Sequence, residues 1–413
     1  MQKKYVYIVT SIIVTVLIAS LIGWAIFINK QQQALQSETQ DLGYFGDSTS
    51  SNSRGDSFFG SFFSNSTDTG SDSSASTSEQ RPILRQLYNL PTAGFVKNGT
   101  GTVRFVDRRT GYVFEKDLSD GTTTRIDQTT VPQVYNALFL DNGKKVVRQY
   151  TDKDLQVISV LSGSTGEGES ASLSPNILEI TTDSTNQKLA LLERSSSGSE
   201  LYIYNLETNS KDLIFHSALR GWNIQWEKSV ILVSQKPSAG LPGSAYSVAV
   251  STGLTSLLLQ QKNGLQTNMS PDADKILFSS TKNGLPALSI FNSTTSAVLD
   301  LPLSGLPEKC VWHPEKPLIY CAIPNKFPEG DYPDIWHQGT IHFVDSIYEI
   351  NAETGSSTMI ISPETTDGLS LDIVKLTFDV STGELFFVNK LDQTFWSLTL
   401  PKSTSFNQNE SSE

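Results

Sequence analysis

The residues of this chain that could do chemistry are concentrated in one acidic and aromatic stretch, CAIPNKFPEGDYPDIWHQGTIHFVDSIYEI, at positions 321–350. Its carboxylates could pair for general acid/base catalysis or hold Ca²⁺, and an aromatic platform beside carboxylates also suits a sugar ring or a peptide. These carboxylates are Glu329, Asp331, Asp334 and Asp345. The stretch therefore predicts a ligand- or partner-binding site, whose residues are Tyr332, Asp334, Trp336, His337 and Asp331.

The same stretch has a second interpretation, in which it packs over the domain and Trp336 fills a gap as a plug. Its connection of about twenty residues is far longer than the usual loop of a compact domain, and such loops are commonly binding elements or disordered. Prolines and aromatic residues within it favour an ordered loop. No catalytic residue and no cofactor are predicted, because the sequence has neither a GxSxG nucleophile elbow nor a phosphate-binding loop that ends in Gly-Lys-Ser/Thr.

The two cysteines of the chain, Cys310 and Cys321, lie in the segment CVWHPEKPLIYC. A hairpin turn centred on Glu315 and Lys316 would place the cysteines opposite each other with both side chains on one face, so we predict a disulfide. A pair of buried thiols is the alternative, since not every cell envelope is oxidising. The four histidines are scattered and no Cys/His pattern has zinc-like spacing, so no metal site is predicted.

A run of 23 residues without a charge, from Val6 to Ile28, predicts a transmembrane helix. As a helix it would be about 35 Å long, and it lacks the short apolar core and small-residue cleavage site of a signal peptide. Lys3 and Lys4 precede it, whereas acidic and neutral residues dominate after Lys30. The positive-inside rule therefore predicts a single-pass cell-membrane protein with a cytoplasmic N-terminus and residues 30–413 outside the cytoplasm.

Composition divides the rest of the chain. Residues 31–80 are rich in Ser, Thr, Gly, Asn, Gln and Asp, which predicts a disordered linker with a root-mean-square reach of about 40 Å. The expected order is an anchor at 1–30, this linker at 31–80, a folded domain at 81–401 and a disordered tail at 402–413. A net charge of −12 argues against a nucleic-acid partner, because such proteins concentrate Lys and Arg on one face.

The folded domain is repetitive. Its unit is a series of short apolar strands separated by polar turns, and copies lie at 92–126, 133–161, 176–215, 221–259, 265–301, 306–362 and 369–400. Seven units with a period of about 45 residues are typical of four-stranded blades, so we predict an all-β, seven-bladed β-propeller. Six or eight blades, or an open β-sandwich, are the alternatives.

Two further expectations follow from the repeat. The last unit lacks a fourth strand, so the apolar segment Ile83–Leu87 should pair beside Trp396–Leu400 and close the ring. Four tryptophans occupy comparable places in their units and are expected to pack between sheets. They are Trp222, Trp226, Trp312 and Trp396.

The segment Ser270-Pro271-Asp272, followed by the apolar run KILF, resembles the turn between the two inner strands of TolB-like and WD40-like (PD40-type) propeller repeats. Weaker forms of this turn are His313-Pro314-Glu315 and Ser381-Thr382-Gly383. The plan of residues 81–401, with RGWNIQW, LPEKCVW, IYCAIPN and DYPDIWHQG in order, also resembles membrane-anchored propeller proteins of reduced-genome bacteria. These resemblances imply a fold and bring no activity with them.

Three functions are compatible with these features. The first is a membrane-tethered extracytoplasmic module that binds a protein or a cell-envelope polymer and helps to assemble it. The second is an enzyme that acts on glycans or peptides through the carboxylates of the sixth unit, and the third is a structural component of a surface assembly. Two carboxylates about 5 to 10 Å apart in a cleft would favour the enzyme.

Overall fold

Antiparallel strands make up most of the part of the chain that the structure describes. The structure is a computed structural model, and it describes residues 81–401 except for positions 100, 167–169, 184 and 186. The predicted span at 6–28, linker at 31–80 and tail at 402–413 lie outside the described residues. Among the residues that the structure describes, no helix is long and apolar enough to cross a membrane.

The strands follow one another in seven groups after a first strand, β1 (Ile83–Tyr88). Group one is β2 (Thr92–Asn98), β3 (Thr102–Asp107), β4 (Val113–Asp117) and β5 (Thr123–Asp127). Group two is β6 (Asn136–Leu140), β7 (Lys145–Thr151), β8 (Val157–Gly163) and β9 (Ala171–Ser172). Group three is β10 (Ile177–Thr182), β11 (Lys188–Ser195), β12 (Gly198–Asn205) and β13 (Lys211–Ser217). Group four is β14 (Trp222–Glu227), β15 (Val230–Gln235), β16 (Pro242–Ala249) and β17 (Thr255–Asn263).

Group five is β18 (Gln266–Met269), β19 (Lys275–Lys282), β20 (Leu285–Asn292) and β21 (Val298–Ser304). Group six is β22 (Cys310–Trp312), β23 (Leu318–Pro324), β24 (Asp345–Asn351) and β25 (Ser357–Ile361). Group seven is β26 (Ile373–Asp379), β27 (Glu384–Asn389) and β28 (Phe395–Thr399). The described helices are a 3₁₀ turn at Pro307–Lys309, α1 (Asp334–His337) and α2 (Pro363–Asp367).

Each group forms one antiparallel four-stranded sheet, and β1 supplies the fourth strand of the last. Several first strands of neighbouring groups contact each other, and an apolar cluster joins every group to the next, so the sheets stand around a ring as propeller blades with the first strands innermost. The described residues thus form seven blades, as the repeat predicts. Blade two differs from its predicted outline, because it ends in the two-residue strand β9, which the sequence analysis did not identify.

The second strand of each blade is buried on both faces, because it is covered by the blades on either side. In β11 and β15 this appears as a run of four buried residues, Leu189–Leu192 and Ile231–Ser234. Seven apolar clusters, each shared by two neighbouring blades, form the core of the ring. The predicted packing of the four tryptophans is confirmed, since each belongs to such a cluster and is at most 8% exposed.

Ring closure follows the predicted pairing. Strand β1 lies antiparallel to β28 with Ile83 opposite Thr399 and Leu84 opposite Leu398. Leu87 joins an apolar cluster that links blade seven to blade one. The outermost strand of the last blade therefore comes from the N-terminal end of the domain, and a sheet edge that would otherwise be open is covered.

The predicted inner turns are also present. Ser270-Pro271-Asp272 links β18 to β19, and the Lys275 amide donates a hydrogen bond to Ser270 Oγ at 3.0 Å. Ala273 completes the turn with φ of 63°. Turns of this kind lie on the side of the propeller where the innermost strands end, and we call this side the lower face. The upper face is the one where the innermost strands begin, and it carries the long connection from Asn325 to Val344 between β23 and β24.

Candidate functional site

The long connection of blade six, which we call the insertion (residues 325–344), forms an apolar cluster of its own on the upper face. Tyr332 and Trp336 are 1% and 2% exposed, and they pack with Phe343 and with Leu306 from the segment before β22. The Trp336 and Phe343 rings stack with their centroids 5.9 Å apart. These contacts tie the insertion to the blade, and they leave the two aromatic side chains inaccessible to a partner in this conformation.

Trp336 is held by polar contacts as well as by packing. Its indole Nε1–H donates to Asp372 Oδ2 at 2.9 Å, just before β26 of blade seven. The Lys390 ammonium lies 3.8 Å from the centroid of the indole ring and donates to the Trp336 carbonyl oxygen. Burial lowers the pKa of Lys390, an effect that nearby Asp372 opposes. Trp336 therefore has the plug arrangement and joins blade six to blade seven.

A fully buried charge cluster lies beneath the plug. The Lys309 ammonium is 2.8 Å from Asp345 Oδ2 and 2.5 Å from Asp372 Oδ1, and none of the three side chains is more than 1% exposed. Asp345 Oδ2 also accepts the Ile373 amide at 2.7 Å. Burial raises the pKa of Asp345 to about 6, although the Lys309 ammonium opposes this shift. Asp345, which the sequence analysis considered for acid/base chemistry, is thus enclosed in the domain and serves a structural ion cluster.

The other residues of the predicted site lie closer to solvent. Asp331 and His337 are exposed, and Asp334 is half-buried at the start of α1. The structure therefore divides the predicted set. Tyr332 and Trp336 point into the apolar cluster, whereas Asp334 and His337 line an open cleft beside it.

This cleft, which we call the upper cleft, has a volume of about 480 Å³. It lies on the upper face, where the beginnings of β14 and β18 approach the insertion. Three neighbouring blades contribute to its walls. The lining residues are Asn223, Lys236, Pro237, Gln266, Thr267, Glu308, Asp334, His337 and Gln338.

Glu308, His337 and Gln266 form the polar centre of the upper cleft. His337 Nε2 lies 2.6 Å from Glu308 Oε1, and both side chains are partly exposed. Gln266 Nε2 donates to the same carboxylate oxygen at 2.5 Å. Gln266 is 4% exposed, and its Oε1 is buried without a hydrogen-bond partner among the described residues. The amide nitrogen of Gln266 therefore meets the polar centre of the cleft, whereas its oxygen is enclosed in the domain.

The acidic and basic side chains at the rim of the cleft differ in whether they have a partner of opposite charge. Asp334 Oδ2 accepts hydrogen bonds from the Ala239 amide at 3.1 Å and from Ser238 Oγ at 3.3 Å. Lys236 is paired with Glu179 of blade three at 2.7 Å. The cation that lines the cleft thus already has an acidic partner, whereas two carboxylates face the open space.

Sequence reasoning missed Glu308, Gln266 and Lys236, because they lie in three blades and come together only when the ring closes. One signal was available: the LPEKCVW segment places Glu308 just before the innermost strand of the blade that carries the insertion. Within the described ranges, no group of three or more His, Cys, Asp or Glu side chains is placed to hold a metal ion.

The two cysteines lie on the first two strands of blade six. Cys310 and Cys321 are register partners in β22 and β23, as the predicted hairpin requires, and their Cα atoms are 4.1 Å apart. The structure joins the sulfurs in a disulfide. The pair is buried in the cluster between blades five and six.

No protein-family model and no curated protein matches the chain. Among solved structures, an oligogalacturonate lyase in complex with manganese has a TM-score of 0.52 and 10% sequence identity, and the match covers 78% of this chain and 91% of that chain. An oligogalacturonate lyase from Vibrio parahaemolyticus has the same TM-score, identity and coverage of this chain, with 92% of that chain covered. TolB from Acinetobacter baumannii has a TM-score of 0.41 and 12% identity, over 74% of this chain and 78% of that chain. Identities this low show the fold alone, and the fold of this chain is a seven-bladed β-propeller.

Proposed function

We propose that this protein is a membrane-tethered, extracytoplasmic binding module that uses the upper cleft to hold a protein or cell-envelope polymer. The observation that carries the proposal is the cleft itself, a space of about 480 Å³ between three blades. Its lining is polar, and the side chains of Glu308, Gln266 and His337 converge on one hydrogen-bonded centre within it. Binding sites are typically concave, with a few polar groups that converge on one space.

The proposed location is supported by the sequence. An uncharged run at 6–28 with preceding lysines favours a single-pass anchor with the propeller outside the cytoplasm. The chain enters the propeller at Ile83, at the lower end of β1, whereas the upper cleft opens on the opposite face. A tethered propeller could therefore present the cleft to a partner without obstruction by its own attachment point.

Affinity capture with a steric block tests this function. The bait is the full-length chain with an affinity tag, and partners are recovered from membranes under mild detergent. Replacing Gln338 with Trp places a large ring on an exposed lining position, so it should abolish recovery of the partner without changing the melting temperature. Lys326→Trp is the matched control, because Lys326 is exposed on the same insertion but does not line the cleft. Equal recovery with both variants would remove the cleft from the function.

A second candidate function is an enzyme that acts on glycans or peptides. It is favoured by the 2.6 Å contact between His337 and Glu308, because a carboxylate that orients an imidazole is a common arrangement for a general base. The measurement is product release from glycan and peptide mixtures by the wild-type chain and by His337→Ala. Turnover that requires His337 would favour the enzyme, whereas capture without turnover would favour the binding module.

A further inference from the structure

The upper cleft offers a ligand mainly hydrogen-bond acceptors. The described contacts of the Glu308 carboxylate all end on Oε1, and those of Asp334 end on Oδ2. Each carboxylate therefore keeps a second oxygen for a ligand. A ligand that is rich in donors is the complement of this set.

The charge in the cleft favours a cation over a neutral donor. Two carboxylates line the open space, whereas Lys236 is held by Glu179 at 2.7 Å and contributes little net positive charge. The other basic side chain of the lining, His337, contacts only Oε1 of Glu308 among the two carboxylates, so Asp334 has no basic side chain against it within the described contacts. Hydroxyl groups of a neutral sugar could donate to the same oxygens, but they would leave both carboxylates without a counter-charge when water is excluded. Hydrogen bonds in which the donor or the acceptor is ionised are about twice as strong as neutral ones, and a cationic donor also neutralises the carboxylate charge, which a hydroxyl group cannot do.

We propose that the upper cleft accepts an arginine side chain of a protein partner, an assignment that rests on the proposed binding function of the cleft. A guanidinium group carries five N–H donors in a planar fork and no acceptor, so it can meet several acceptors at once. Glu308 and Asp334 would take the charge-assisted hydrogen bonds.

A tripeptide probe tests the assignment on the full-length chain. Acetylated and amidated Gly-Arg-Gly is titrated by calorimetry at low salt, beside the same peptide with citrulline, which keeps the shape of arginine but has no charge. The arginine peptide should bind at least about tenfold more tightly, which corresponds to about 1.4 kcal/mol. Added salt should weaken its binding, because the contacts are between charges at a partly exposed site. Equal binding of the two peptides, or no binding of either at millimolar concentration, overturns the assignment.

Two matched variants locate the binding. Glu308→Gln should weaken arginine binding about tenfold or more, whereas Glu315→Gln should leave it unchanged. Glu315 is exposed in the turn between β22 and β23, on the lower face, so it controls for the change in net charge. A melting temperature equal to that of the wild type shows that Glu308→Gln is folded. Equal effects of the two variants would place the peptide elsewhere and contradict the proposal.

The two proposals can fail separately. If Gln338→Trp abolishes partner capture but the arginine peptide does not bind, the cleft is a binding site for another chemical class. If the peptide binds in a Glu308-dependent way but capture is unaffected by Gln338→Trp, the arginine site is real and the proposed function of the cleft is wrong. A neutral glycan that competes with the captured partner would also overturn the arginine assignment.

Discussion

Trp336 shows how one side chain can serve two elements. Its ring packs within the insertion, while its indole nitrogen reaches Asp372 at the edge of blade seven. The same residue was predicted either to contact a partner or to act as a plug. A side chain that is 2% exposed belongs to the second description. Asp334 and His337, on the same turn of helix, face the upper cleft instead.

Replacing Trp336 with Ala should destabilise the protein by about 3 to 5 kcal/mol, the usual range for removal of a large buried side chain. The loss has two parts, because a cavity forms and Asp372 loses a hydrogen bond in a buried site. The measurement is the free energy of unfolding in urea. His337→Ala is the control on the same helix and should cost less than about 1 kcal/mol, because its contact with Glu308 is partly exposed. Similar losses for the two variants would contradict the plug arrangement.

Asp345 should give the protein an unusual pH dependence. Its pKa is about 6 in the folded state against 3.8 as the ordinary value, because burial disfavours the charged form. The folded protein therefore binds this proton more tightly than the unfolded chain does. As pH falls from about 7 to about 4, the contribution of Asp345 to stability rises, by on the order of 2 kcal/mol.

The contribution of Asp345 can be separated from that of the other carboxylates by comparison with Asp345→Asn. The difference in unfolding free energy between the two proteins, measured from pH 4 to pH 7, should move in favour of the wild type as pH decreases. Asparagine keeps an acceptor for Lys309 but has no titrating proton. A pH-independent difference would show that folding does not raise the pKa of Asp345, and it would contradict the prediction.

At the scale of elements, the hairpin of β22 and β23 joins the disulfide to the upper cleft. Cys310 begins β22 directly after Lys309, and Glu308 precedes both in the 3₁₀ turn. The bridge between Cys310 and Cys321 thus lies at the base of the segment that carries one wall of the cleft. The presence of this bridge in native protein is a separate prediction, which can be tested.

Native, unreduced protein should contain the Cys310–Cys321 disulfide, so alkylation without a reductant should label neither thiol. Closing a loop of this size should stabilise the fold by on the order of 3 kcal/mol. Reduction should lower the free energy of unfolding by a similar amount, and a variant with Ser at both positions should no longer respond to reductant. Two freely alkylated thiols in mass spectra of native material would refute the prediction.

The sequence predicted elements better than it predicted the site, and the reason is physical. A blade is built from residues close together in the chain, so its period, its inner turns and its packing tryptophans are visible locally. The cleft is built from Lys236, Gln266 and Glu308, which approach each other only through the ring. Lys309 is a further case, because nothing in the local sequence distinguishes a lysine that will be fully buried between Asp345 and Asp372.

At the scale of the whole molecule, the ring depends on a strand far from its partner in the chain. Strand β1 pairs with β28 across almost the entire domain, and Leu87 fills the last inter-blade cluster. Closure is therefore a global property that no single blade provides. Its loss should affect every blade, since each one is stabilised by two neighbours.

Deletion of residues 81–90 should lower the melting temperature sharply, because it exposes the edge of β28 and opens the cluster between blades seven and one. Point variants give a finer test. Leu87→Asp should be strongly destabilising, since it buries a charge without a partner. Gln86→Asp should change the melting temperature little, because Gln86 is exposed. Equal melting temperatures for the deletion and the wild type would rule out this closure.

The position of β1 also has a mechanical consequence. The chain enters β1 at its lower end, and the upper cleft lies at the other end of the ring. If the N-terminal segment is anchored and a partner is held in the cleft, as proposed, a pull between them enters the domain through the lower end of β1. The hydrogen bonds between β1 and β28 lie across the strand axis, so the component of the pull along β1 loads them together in shear rather than one after another by peeling. The strand that closes the ring would then also be the first to bear the load.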